Sequence, residues 1–83
     1  MSVSIEAVMR GRFPEGSVNR QVAEDIVQAI REVIARHDDI TNASVYATEQ
    51  MREGQQRVFP SHYPYRAFGS AHEIVVSVHF QGD

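Results

Sequence analysis

Eighty-three residues, 42% hydrophobic and 23% charged, make one small globular domain spanning the chain (1–83) and argue against disorder. A formal net charge of -3, from eight Lys+Arg against eleven Asp+Glu, repels polyanions from the molecule as a whole, so any nucleic-acid site has to be local. The absence of cysteine excludes disulfides, thiolate nucleophiles and sulfur-rich metal sites; with no basic n-region and no long apolar run, a soluble cytoplasmic protein without a membrane anchor is expected.

The chain opens on a strand. From Ser2 to Arg10, Val3, Ile5, Ala7 and Met9 alternate with Ser4, Glu6, Val8 and Arg10, the two-residue period of a strand with one covered face. The odd-numbered side chains are expected to meet a helix. Gly11 to Gly16, with two glycines and a proline, breaks the pattern, and Ser17 stands where a helix N-cap is needed. From Ser17 to His37, Val22, Ile26, Ile30, Val33, Ile34 and His37 recur at helical spacing while Arg20, Glu24, Gln28 and Arg31 fall elsewhere, which predicts a long amphipathic helix burying Ile26, Ile30 and Val33. Asp38-Asp39 ends it, because acidic groups oppose the helix dipole there.

A second strand is predicted from about Ile40 to Arg52, with Ala43, Val45, Ala47 and Met51 inward and Ser44, Tyr46 and Thr48 outward. Glu53-Gly54 marks a hairpin turn, and the returning arm through Arg57, Val58 and Phe59 ends at Pro60. Residues 60–71 are too rich in Pro, Gly and Ser for regular structure and too aromatic for an ordinary linker. The last strand, His72 to Gln81, sets Ile74, Val76, Val78 and Phe80 inward. The sum is a two-layer α+β fold, β-α-β-β-β, with one long amphipathic helix on a three- to four-stranded mixed or antiparallel sheet. In its order of strand, long helix, strand and strand the chain resembles the dodecins, small oligomeric flavin-binding proteins. It has no tryptophan to stack on a flavin and a far longer loop before its last strand, so no residue or activity is carried over.

No motif fixes a reaction. Gly11-Arg-Phe-Pro-Glu-Gly16-Ser17 has the glycine spacing of a phosphate loop, but Ser17 stands where lysine is required, Val18 where the magnesium-binding hydroxyl belongs, and Glu15 adds a negative charge. What survives is a weak anion site of Arg10, Arg12, Ser17 and Arg20 at the helix start. The four histidines match no metal-ligand spacing, and no nucleophile elbow occurs. Neither a metal, a cofactor nor an enzymatic role is expected.

The strongest lead is the run Arg57, Phe59, His62, Tyr63, Tyr65, Arg66 and Phe68, which joins planar side chains to arginines, with no acidic residue between Gln55 and Ala71. Such groups dominate protein-interface hot spots and also stack on unpaired bases; the competing use is to cover an open end of a thin core. The expectation is a non-enzymatic interaction protein of the inhibitor, immunity, antitoxin or accessory-factor kind, binding a protein through this loop or the open sheet face. A module for RNA or single-stranded nucleic acid is the alternative, and a small oligomeric enzyme or ligand carrier the next. A homodimer or higher homo-oligomer is also expected, through Tyr46, Val75 and His79 or a free strand edge, because one helix cannot cover both faces of a sheet.

Overall fold

A computed structural model describes residues 1–61 and 69–82, residue 53 by its backbone alone. Strand β1 (Ser2–Phe13) leads to helix α1 (Val18–Ala35), then to β2 (Ile40–Gln50), a short turn of 3-10 helix (Arg52–Gly54), β3 (Gln56–Phe59) and β4 (Ala71–Gly82). The four strands form one open sheet in the order β1-β4-β2-β3, every neighbouring pair antiparallel. Because β1 and β2 both run against β4, they point the same way with β4 between them, and α1 is the crossover that joins them. The α+β class, the single helix and the order of elements agree with the expectation from sequence.

Local chemistry explains the boundaries. Ser17 is extended (φ -80°, ψ 155°) and its hydroxyl accepts the Arg20 N–H at 3.1 Å, an N-cap at the predicted position. The same hydroxyl donates to the Pro14 carbonyl at 2.7 Å, tying the cap to the loop before it. At its other end α1 stops at Ala35, one turn short of the two aspartates, and His37, expected on the apolar side of the helix, lies beyond its end and is exposed. Gly11, at φ 159°, opens a bulge at which the β1–β4 register shifts between Arg10 and Phe13. The hairpin is as expected, with Ala47 opposite Phe59 and Glu49 opposite Arg57.

The core lies between α1 and one face of the sheet. Ile74, Val76 and Val78 on β4, Ala47 on β2, Met51 just after it and Phe59 on β3 are all buried in one cluster with the helix, and Phe80 packs at its edge, as the alternation through β2 and along β4 predicts. The helix, however, is turned from the predicted phase. Ala23 and Val27 are the buried apolar residues, with Ile30 and Ile34 packed beside them, whereas Val22, Ile26 and Val33 remain 50%, 43% and 43% exposed. The reason is packing and charge together. Ala23 and Val27 join the buried cluster with Ala47 and Val76, and Arg20 on the same face reaches a buried carboxylate on β2.

A second correction follows on β1. Its odd-numbered residues do share the helix side of the sheet, since Ile5, Ala7 and Met9 lie opposite Val78, Val76 and Ile74. Yet the helix covers only part of that row: Met9 packs against the core, while Ile5 is 50% exposed and Ala7 is exposed too. No described helix is long and apolar enough to cross a membrane.

Candidate functional site

Two stripes run along α1. Arg20, Ala23, Val27, Ile30 and Ile34 follow one another at three- and four-residue steps and face the sheet; Val22, Ile26, Ala29 and Val33 do the same about a quarter-turn to one side. The opposite flank, with Glu24, Gln28 and Arg31, is polar. The second stripe leans toward β1. There Ile5, Ile26, Ala29, Ile30, Val33, Ile34 and Val78 line a groove of about 380 Å³ with apolar side chains alone. A smaller, partly polar hollow continues it toward the other end of β1, bounded by Met9, Arg10, Gly11, Asn19, Val22 and Ile26. Ile26 is common to both, so it joins them into one strip between helix and strand, apolar toward Ile5 and partly polar toward Arg10.

The strip ends on a sheet edge that no strand among the described residues pairs with. β1 is the outermost strand, twelve residues long, and contains neither proline nor lysine to discourage pairing. Its hydrogen-bond phase is readable from its start: Met1 and Gly82 exchange both backbone bonds, each at 2.9 Å. In an antiparallel ladder such doubly bonded pairs recur every second residue. Val3, Ile5, Ala7 and Met9 therefore turn their N–H and C=O groups to β4, and Ser4, Glu6, Val8 and Arg10 turn theirs outward.

On the other sheet face the residues are mixed. Tyr46 stacks on His79 with ring centroids 6.2 Å apart and planes inclined by 28°, and His79 Nδ1 shares a 2.9 Å hydrogen bond with the Ser4 hydroxyl. Val8 lies opposite Val75 on this face and is 41% exposed. Arg10 Nε donates to Glu73 Oε1 at 3.2 Å, a solvent-facing pair.

The residues singled out from sequence are placed quite differently from one another. Phe59 is fully buried at the centre of the core and Arg57 points inward beside it, so neither is part of an exposed platform. The cause is register: both lie on the helix side of β3, directly opposite Ala47 and Glu49. His62, Tyr63, Tyr65, Arg66 and Phe68 lie outside the described residues. The four residues of the anion site are not brought together. Ser17 is occupied in capping, Arg10 pairs with Glu73, Arg12 is exposed, and Arg20 turns into the protein.

What sequence reasoning missed is the destination of Arg20. Glu49, without solvent exposure, accepts from Arg20 Nη1 on one carboxylate oxygen and from Arg57 Nε on the other. The Arg20 guanidinium lies over the Phe59 ring, its Cζ 5.1 Å from the centroid, and its Nη2 donates to the Ser61 carbonyl at 3.4 Å. A cation, an anion and a cation thus clamp α1 to the β2–β3 hairpin. The signal for it was the alternation itself, since Ala47 and Met51 point inward and Glu49 stands between them.

Comparison with protein-family models, with curated proteins and with solved structures found no match to this chain.

Proposed function

We propose that this is a non-enzymatic domain that works by binding another protein chain, and that the binding surface is the strip formed by the β1 edge and the outer stripe of α1. One observation carries the reading: an apolar groove lies directly beside a long strand edge whose outward backbone groups meet no strand among the described residues. An adjoining chain covers both at once, gaining apolar burial from Ile5, Ile26 and Val33 and hydrogen bonds from Glu6, Val8 and Arg10. A small domain with a thin core gains much from such cover. The buried Arg20–Glu49–Arg57 cluster takes a positioning part in this reading, because it fixes the helix phase that leaves Val22, Ile26 and Val33 outside.

Photocrosslinking in the producing cells tests it. A photoreactive side chain at position 33, on the strip, is expected to capture polypeptide, and the same group at position 28, on the polar flank of α1, is expected to capture far less. Capture of RNA at both positions, or no difference between them, would sink the reading.

A further inference from the structure

We infer that the chain covering this strip is a second copy of the protein, joined through β1 to an antiparallel β1 about a twofold axis at Val8. The inference rests on the protein-binding reading above and names its partner.

Twofold pairing of an edge strand sets residue i of one chain opposite residue j of the other with a constant sum, and the charges on β1 decide which sum is acceptable. The outward-facing residues of the regular stretch, up to the bulge, are Ser4, Glu6, Val8 and Arg10. An axis at Glu6 opposes two carboxylates, and an axis at Arg10 opposes two guanidiniums. An axis at Ala7 sets Glu6 against Val8. An axis at Val8 sets Glu6 against Arg10 twice and Val8 against Val8. Among registers confined to this stretch it alone places unlike charges directly opposite each other. The Glu6–Arg10 and Val8–Val8 pairs also join residues whose N–H and C=O groups point outward, so each of them exchanges two backbone bonds.

The helix layer agrees independently. Ile26 lines both the groove that contains Ile5 and the hollow that contains Met9. An axis at Val8, which lies between Ile5 and Met9 on β1, therefore falls alongside the stripe Val22–Ile26–Ala29–Val33 rather than beyond its end. Both helices lie on the same side of the joined eight-stranded sheet, each stripe facing its counterpart in reverse order, with Val22 of one chain toward Ala29 and Val33 of the other. Arg10 keeps Glu73 within reach and gains the partner's carboxylate, which the several donors of a guanidinium accommodate.

Charge reversal in the full chain, read by sedimentation velocity, tests both partner and register. The wild-type chain is expected to sediment as a dimer. Glu6→Arg and Arg10→Glu, both at exposed positions, are each expected to self-associate at least about tenfold more weakly, since two attractions become two repulsions. An equimolar mixture of the two variants is expected to regain wild-type affinity, because every pair then sets arginine against glutamate. A monomeric wild type, single variants that dimerise unimpaired, or a mixture no tighter than its components would overturn the proposal. If the wild type is monomeric while position 33 still captures a different polypeptide in cells, the protein-binding reading stands and only its partner changes.

Discussion

Replacing Glu49 by alanine is expected to unfold the domain at room temperature. The substitution leaves Arg20 and Arg57 facing each other in the interior with no anion between them. Breaking a buried ion pair from one side costs about 3–5 kcal/mol, and a single core of this size supplies only about that much in total. The converse substitution separates the ion cluster from its stability cost: Arg20→Met, Glu49→Leu and Arg57→Met together remove all three charges while filling similar volume. That triple variant is expected to fold, because desolvating an ion cluster opposes folding about as much as its internal attraction favours it. Urea denaturation followed by circular dichroism distinguishes the outcomes. A Glu49→Ala protein as stable as wild type would show that the cluster does not hold the hairpin to the helix.

Phe59→Ala is expected to be nearly as damaging, at about 3–5 kcal/mol, from the lost burial and the cavity left behind. The ring has no solvent exposure, packs in the middle of the core and carries the Arg20 guanidinium on its face. Its neighbour Val58 is 70% exposed on the opposite side of β3, and Val58→Ala is expected to shift stability by no more than about 0.5 kcal/mol. The comparison measures the in-and-out register of a four-residue strand. Equal sensitivity at the two positions in thermal unfolding would contradict that register.

These two residues also mark where the sequence stops being legible. Period-two alternation placed Ile74, Val76, Val78 and Phe80 correctly, because β4 is central and its two faces differ sharply in burial. The N-cap at Ser17 was readable because capping is a local contact, three residues long. The helix phase was not. Two adjoining stripes, Ala23–Val27–Ile30–Ile34 and Val22–Ile26–Ala29–Val33, both fit a 3.6-residue repeat, and the expected face took Ile30 and Ile34 from the first but Val22, Ile26 and Val33 from the second, passing over the small Ala23 and Val27. What selects between them is tertiary: a buried carboxylate twenty-nine residues beyond Arg20, which draws that side of the helix onto the sheet. The misplacement of Arg57 and Phe59 has the same origin. On so short a strand the faces are assigned by the partner strand, and Glu49 inside the core makes an inward arginine opposite it favourable.

The edge at β1 was illegible for another reason. Nothing in the local pattern of Ser2 to Arg10 says that β4, from the far end of the chain, pairs with it on one side and leaves the other open. Strand order is long-range information, and it turns a half-covered amphipathic strand into a surface.

Amide hydrogen exchange along β1, in the purified full chain at the concentration of assembly, tests most directly whether that surface is covered. Met9 and Ala7 turn their amides to β4 and are protected in the isolated fold whatever else binds. If β1 pairs with β1 about Val8, the amides of Glu6, Val8 and Arg10 exchange as slowly as these, and the strand is protected without alternation. If Glu6, Val8 and Arg10 exchange at the rate of open backbone while Ala7 and Met9 remain slow, the edge is bare, and the assignment of β1 as the joint between two copies is wrong.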